Sequence, residues 1–142
     1  MLKGEKIPEL VDVKLNLDFI DLSPANPNGD NTAALPYEYV EEDSQRMNFM
    51  KRFAEASNLA AVKSIARELK DRFGKPPPSA MRLIRLAELR VECAAAQISH
   101  IDAKGERAVF YRNGSREIAF VSPLRSQSAD RKISELIKAV KS

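Results

Sequence analysis

Gly74 and the run Pro76-Pro77-Pro78 stand between two stretches of strong helical periodicity, and they forbid one continuous helix. Glycine adopts the positive φ that the residue past a helix end commonly requires. Proline has no N–H to donate and clashes with the preceding turn, yet it is tolerated at the first helical position. One helix must therefore end before Gly74, and another can start at a proline. The upstream helix is capped by Ser57 or Asn58 and carries an apolar stripe of Val62, Ile65, Ala66, Leu69 and Phe73. The downstream helix places Leu83, Ile84, Ala87, Val91, Ala94 and Ile98 on one face. A further helix opens near Asp43 or Ser44, with Met47, Met50, Phe53 and Ala54 at helical spacing. These three form a small bundle.

Elsewhere the period changes to two. Val11, Val13, Leu15, Leu17 and Phe19 alternate with polar residues, the pattern of a half-buried strand. Residues 21–36, rich in Pro, Asn, Gly and Asp, form a long surface loop that is either mobile or laid along a neighbour. From Ile98 a strand pairs across the 103–106 turn with Ala108–Tyr111, and Asn113-Gly114 is a type I′ hairpin signal leading to Ile118–Val121. That makes a three-stranded meander, which the first strand can extend. Ser128-Ala129-Asp130 opens a last helix with Ile133, Leu136, Ile137 and Val140 on one face. The fold class is α+β: three central helices plus a C-terminal helix, with an antiparallel β-sheet containing the meander.

The chemistry-bearing residues are sparse. The five glycines, at 4, 29, 74, 105 and 114, fit neither phosphate-binding glycine pattern. One cysteine and one histidine cannot make a zinc site, so no metal or cofactor is expected. Cys93, flanked by alanines, lacks the electropositive setting a thiolate needs, and it reads as a buried thiol. His100 reads as an ordinary strand histidine. No enzyme is expected from these residue types. No apolar run of membrane-spanning length or signal-peptide core occurs, which implies a cytoplasmic protein with no membrane partner.

Charge is uneven: residues 1–45 carry a net −7 and residues 46–142 a net +10. The split fits either a nucleic-acid face with an acidic flank or an acidic arm against a basic body. The basic residues are spread over several elements, with no stripe and no aromatic-rich RNP motif, which argues against direct DNA contact. Glu68, Asp71 and Arg72 stand out, falling at about 0°, 300° and 40° around their helix against an apolar stripe centred near 115°. They share one exposed flank. Either Glu68 and Arg72 are an ordinary i,i+4 pair worth about 0.2–0.5 kcal/mol beside a solvated Asp71, or the three form a docking surface. Arg82, Arg85 and Arg90 on the next helix divide the same way, with most expected on the solvated face.

Leu35–Val40, Gln45–Phe53, the segment Glu68-Leu69-Lys70-Asp71-Arg72-Phe73-Gly74 with its prolines, and Ile84–Arg90 together resemble the C-terminal domain of bacterial transcription-repair coupling factors (Mfd). The resemblance covers roughly residues 11–100. It implies a non-catalytic, autoinhibitory domain of a DNA translocase, docked within the same protein on a UvrB-like N-terminal module and masking UvrA binding. UvrA and RNA polymerase would then be indirect partners, in transcription-coupled excision repair. Carried over by motif, Glu68, Asp71 and Arg72 match the family's docking face. Residues 1–10 resemble the end of the linker from the motor, and 11–142 the domain itself. The alternatives are a basic nucleic-acid-binding module and a free-standing protein-interaction module.

Overall fold

The computed structural model describes residues 13–21, 31–112 and 117–141. In chain order these form β1 (Lys14–Leu17), α1 (Asp43–Glu55), α2 (Leu59–Phe73), α3 (Pro78–Ala95), β2 (Ile98–Lys104), β3 (Arg107–Arg112), β4 (Ile118–Pro123) and α4 (Ala129–Lys141). The proposed linker at 1–10, most of the 21–36 loop and the Asn113-Gly114 turn lie outside the described residues.

The break that the prolines require falls between α2 and α3. Gly74 takes φ 89° and returns its N–H to the Lys70 carbonyl at 2.8 Å, while Pro78 starts α3. At the other end of α2, Asn58 caps the helix, its side-chain oxygen accepting from the Ala61 N–H at 2.8 Å. α4 opens likewise, the Ser128 hydroxyl accepting from the Arg131 N–H at 3.1 Å.

The strands run in the order β1-β2-β3-β4. β2, β3 and β4 are the expected antiparallel meander, with Lys104 opposite Arg107 closing a two-residue turn in which Gly105 has φ 64°. β1 adds on parallel to β2, Lys14 opposite His100 and Leu17 opposite Ala103, so the sheet is mixed. Alternation along a strand fixes which side chains point inward but carries nothing about the direction of its partner.

Two cores result, and α3 belongs to both. Its Leu86, Leu89 and Cys93 join Leu17, Ile101, Phe110, Ile133 and Leu136 between the sheet and α4. Its Leu83, Ile84, Ala87 and Val91 join Phe49, Phe53, Val62 and Leu69 of α1 and α2. Ile98, which fits both the end of this helix face and the start of a strand, begins β2, because the chain leaves the helix at Ala95 and Gln97 takes φ 65° without help from glycine or proline.

Three sequence expectations change. On α1 the inward face is Arg46, Phe49 and Phe53, whereas Met47 and Met50 are exposed. The end of the supposed surface loop is interior: Thr32, Ala33, Ala34 and Leu35 are buried, and the Ala34 N–H donates to the Ser79 carbonyl at 3.2 Å. Arg82 is buried, its Nε donating to Asp130 Oδ1 at 2.9 Å and its Nη1 to the Thr32 carbonyl at 3.0 Å. Nor are its neighbours free in solvent: Arg85 reaches Glu88 and Ser134, and the half-buried Arg90 lines a small cavity together with Leu15, Leu17, Ile20 and Leu86.

Cys93 lies fully in the sheet-side core, and burial, helped by the nearby Glu92 charge, pushes its thiol up to about 12. At pH 8 only about one thiol in ten thousand would be ionised. Iodoacetamide is therefore expected to label Cys93 only after unfolding in urea; rapid labelling of the folded protein would show that this core is open.

Candidate functional site

α2 presents its charged flank because Val62, Ile65 and Leu69 turn inward. Glu68 is held from two sides. Arg52 of α1 donates to its Oε1 at 2.7 Å, and Arg72, one turn further along α2, to its Oε2 at 3.4 Å. Both guanidinium groups also lie over the Phe49 ring, at 5.2 Å for Arg52 and 5.6 Å for Arg72. Arg72 is a further 5.4 Å from the Phe73 ring. Phe49 meets Phe73 edge-on at 5.9 Å, and Phe73 in turn lies 5.9 Å from Tyr39. The Tyr39 hydroxyl donates to the Gly74 carbonyl at 2.6 Å, tying the helix end to this aromatic platform.

Of the three residues singled out in the sequence, the structure thus joins Glu68 and Arg72. Asp71 is on the same flank but exposed, with no ion pair or hydrogen bond among the described residues. The residue that sequence reasoning missed is Arg52. It stands 16 positions from Glu68, and only the packing of α1 on α2 brings them together. No local spacing rule reports such a pair.

The Arg52 hydrogen bond is the main cause that holds the Glu68 carboxyl below its ordinary value of 4.5, with Arg72 adding to it and partial desolvation opposing. A carboxyl lowered in the folded state supports the fold above its unfolded value, and that support is lost as pH falls through the native one. An NMR titration of the Glu68 carboxyl should give a midpoint below 4.5 that rises in Arg52→Gln. A midpoint unmoved by the substitution would mean that the bridge is absent in solution. Chemically, the cluster is a preformed, partly neutralised patch whose carboxylate and guanidinium edges are fixed in position, suited to charge-assisted hydrogen bonding with a partner.

Comparison with known proteins agrees with the motifs. The TRCF domain family model matches residues 30–121, more than half of the chain. The transcription-repair-coupling factor of Mycobacterium bovis is 35% identical over 77 residues, 54% of this chain and 6% of that protein. That of Haemophilus influenzae is 35% identical over 71 residues, 50% of this chain and again 6% of the relative. The chain thus spans only a small fraction of the curated relatives it matches. The fold is shared with a crystal structure of the C-terminal domain of a transcription-repair coupling factor, at TM-score 0.66 and 13% identity, covering 92% of this chain and 94% of that one. No helix among the described residues is long and apolar enough to cross a membrane. This chain belongs to the TRCF domain family of the transcription-repair coupling factors.

Proposed function

We propose that this domain is a non-catalytic, autoinhibitory module of a cytoplasmic transcription-repair coupling factor, docking through the Glu68, Asp71 and Arg72 flank on the parent's UvrB-like module and so masking UvrA binding. The observation that supports this reading best is the fixed Arg52–Glu68–Arg72 cluster over the Phe49 ring, beside an Asp71 that has no partner in the described structure. A flank serving only to strengthen its own helix would need the Glu68–Arg72 pair alone. Preordered side chains lose less rotamer freedom on binding, which favours this patch as an interface.

Docking within one protein is a population bias. Losing about 2 kcal/mol of it raises the ratio of open to closed molecules roughly thirtyfold. Asp71→Ala in the full-length parent is the cleanest first variant, because no intramolecular contact is lost with it. Asp71→Ala, and more strongly the triple alanine variant at 68, 71 and 72, is expected to tighten UvrA binding measured by calorimetry. Unchanged UvrA affinity in the triple variant would exclude this flank as the mask.

A further inference from the structure

α2 has a second charged row that the docking flank does not use. In the angular frame that puts Glu68 at 0°, Lys70, Lys63 and Arg67 fall at about 200°, 220° and 260°, on the opposite shoulder of the helix from Glu68 and Arg72, with Asp71 at the crest between. All three are exposed, and none makes an ion pair or side-chain hydrogen bond among the described residues. This differs from Arg52 and Arg72, whose charges are shared with Glu68. Three of the basic residues, which look scattered when read along several elements, are here aligned within about 10 Å of helix.

We propose that Lys63, Arg67 and Lys70 form a contact for the phosphate backbone of duplex DNA. The composition of the row favours phosphate over protein. It contains no aromatic and no large apolar side chain, and its exposed neighbours toward the crest are small, Ala60 at about 280° and Ser64 at about 320°. Protein interfaces are built around buried aromatic or apolar anchors and are poor in lysine, whereas backbone contacts to nucleic acid need only mobile cations at intervals along a groove. The row reads no bases, so binding is independent of sequence. If the docking reading above also holds, both ligands approach α2, and a domain engaged with DNA is less available to its partner module.

Fluorescence anisotropy of a labelled mixed-sequence duplex, titrated with the whole chain, tests this. Three phosphate contacts imply a log–log salt slope of about −2.7, hence roughly fortyfold weaker binding between about 50 and 200 mM salt. The triple variant Lys63→Gln, Arg67→Gln, Lys70→Gln is expected to bind at least about tenfold more weakly at the lower salt and to flatten the slope. A control variant removing Lys104, Arg131 and Lys138, exposed cations on other elements, is expected to lose much less. Absence of binding, an unchanged slope in the first variant, or equal loss in the control would overturn the proposal. So would poly-glutamate competing as well as DNA, which would reassign the row to an acidic polypeptide. Adding the UvrB-like module to the DNA complex separates the two readings: DNA binding that depends on the row but is insensitive to the module leaves this inference standing and counts against a shared face.

Discussion

Replacing Phe49 with alanine is expected to lower the unfolding free energy by about 3–5 kcal/mol, the range for deleting a fully buried aromatic side chain. The ring is 0% exposed, touches Phe73 edge-on, and is the surface over which both Arg52 and Arg72 rest. Besides leaving a cavity, its removal takes away the platform beneath the Glu68 cluster without altering a charged residue. Urea unfolding of Phe49→Ala beside Met47→Ala makes the measurement decisive. Met47 is 68% exposed on the same helix, and a surface substitution of that kind should stay within about 0.5 kcal/mol. Similar losses from the two variants would mean that α1 is rotated from the orientation described.

The second large effect concerns Arg82. Arg82→Met keeps most of the side-chain volume but removes the donors to Asp130 and to the Thr32 carbonyl. Thr32 is fully buried, so its carbonyl cannot recover the bond from water, whereas the Asp130 side chain, 62% exposed, is readily hydrated. The expected loss is about 2–3 kcal/mol, most of it from breaking the buried charge-assisted bond to the Thr32 carbonyl. It should be localised. Amide hydrogen exchange at Ala33 and Ala34, whose N–H groups bond to the Asp21 and Ser79 carbonyls, is expected to accelerate more than exchange in the centre of β3. Uniform acceleration would mean that Arg82 holds the whole fold rather than pinning this segment to α3 and α4.

What could be read in the sequence follows the range of the forces involved. The α2 cap at Asn58, the stop at Gly74, the proline start of α3, the meander and the α4 stripe all depend on neighbours within a turn or a hairpin. Each was legible. α1 was misread because Met47 and Met50 fit an apolar period, while the face that packs includes an arginine. Arg46 is buried because Tyr37 covers its guanidinium at 4.1 Å, the Val40 carbonyl accepts from it at 2.8 Å and Asp43 pairs with it. The parallel pairing of β1, the interior course of 32–35 and the Arg82 bridge depend on contacts across long stretches of chain. At the candidate site the helical wheel found Glu68 and Arg72, and tertiary packing alone supplied Arg52.

Helix α3 has a consequence for how the domain can be dissected. Because one side of it lies against α1 and α2 and the other against the sheet and α4, deleting either end of the chain strips a row of large aliphatic side chains bare. A fragment lacking α4 would expose Leu86 and Leu89, and one lacking α1 and α2 would expose Leu83, Ile84 and Val91; both would be sticky toward many proteins irrespective of any native partner. Boundary mapping by serial truncation would thus report stray adhesion in place of recognition, and the domain's contacts have to be assigned one side chain at a time in the intact chain.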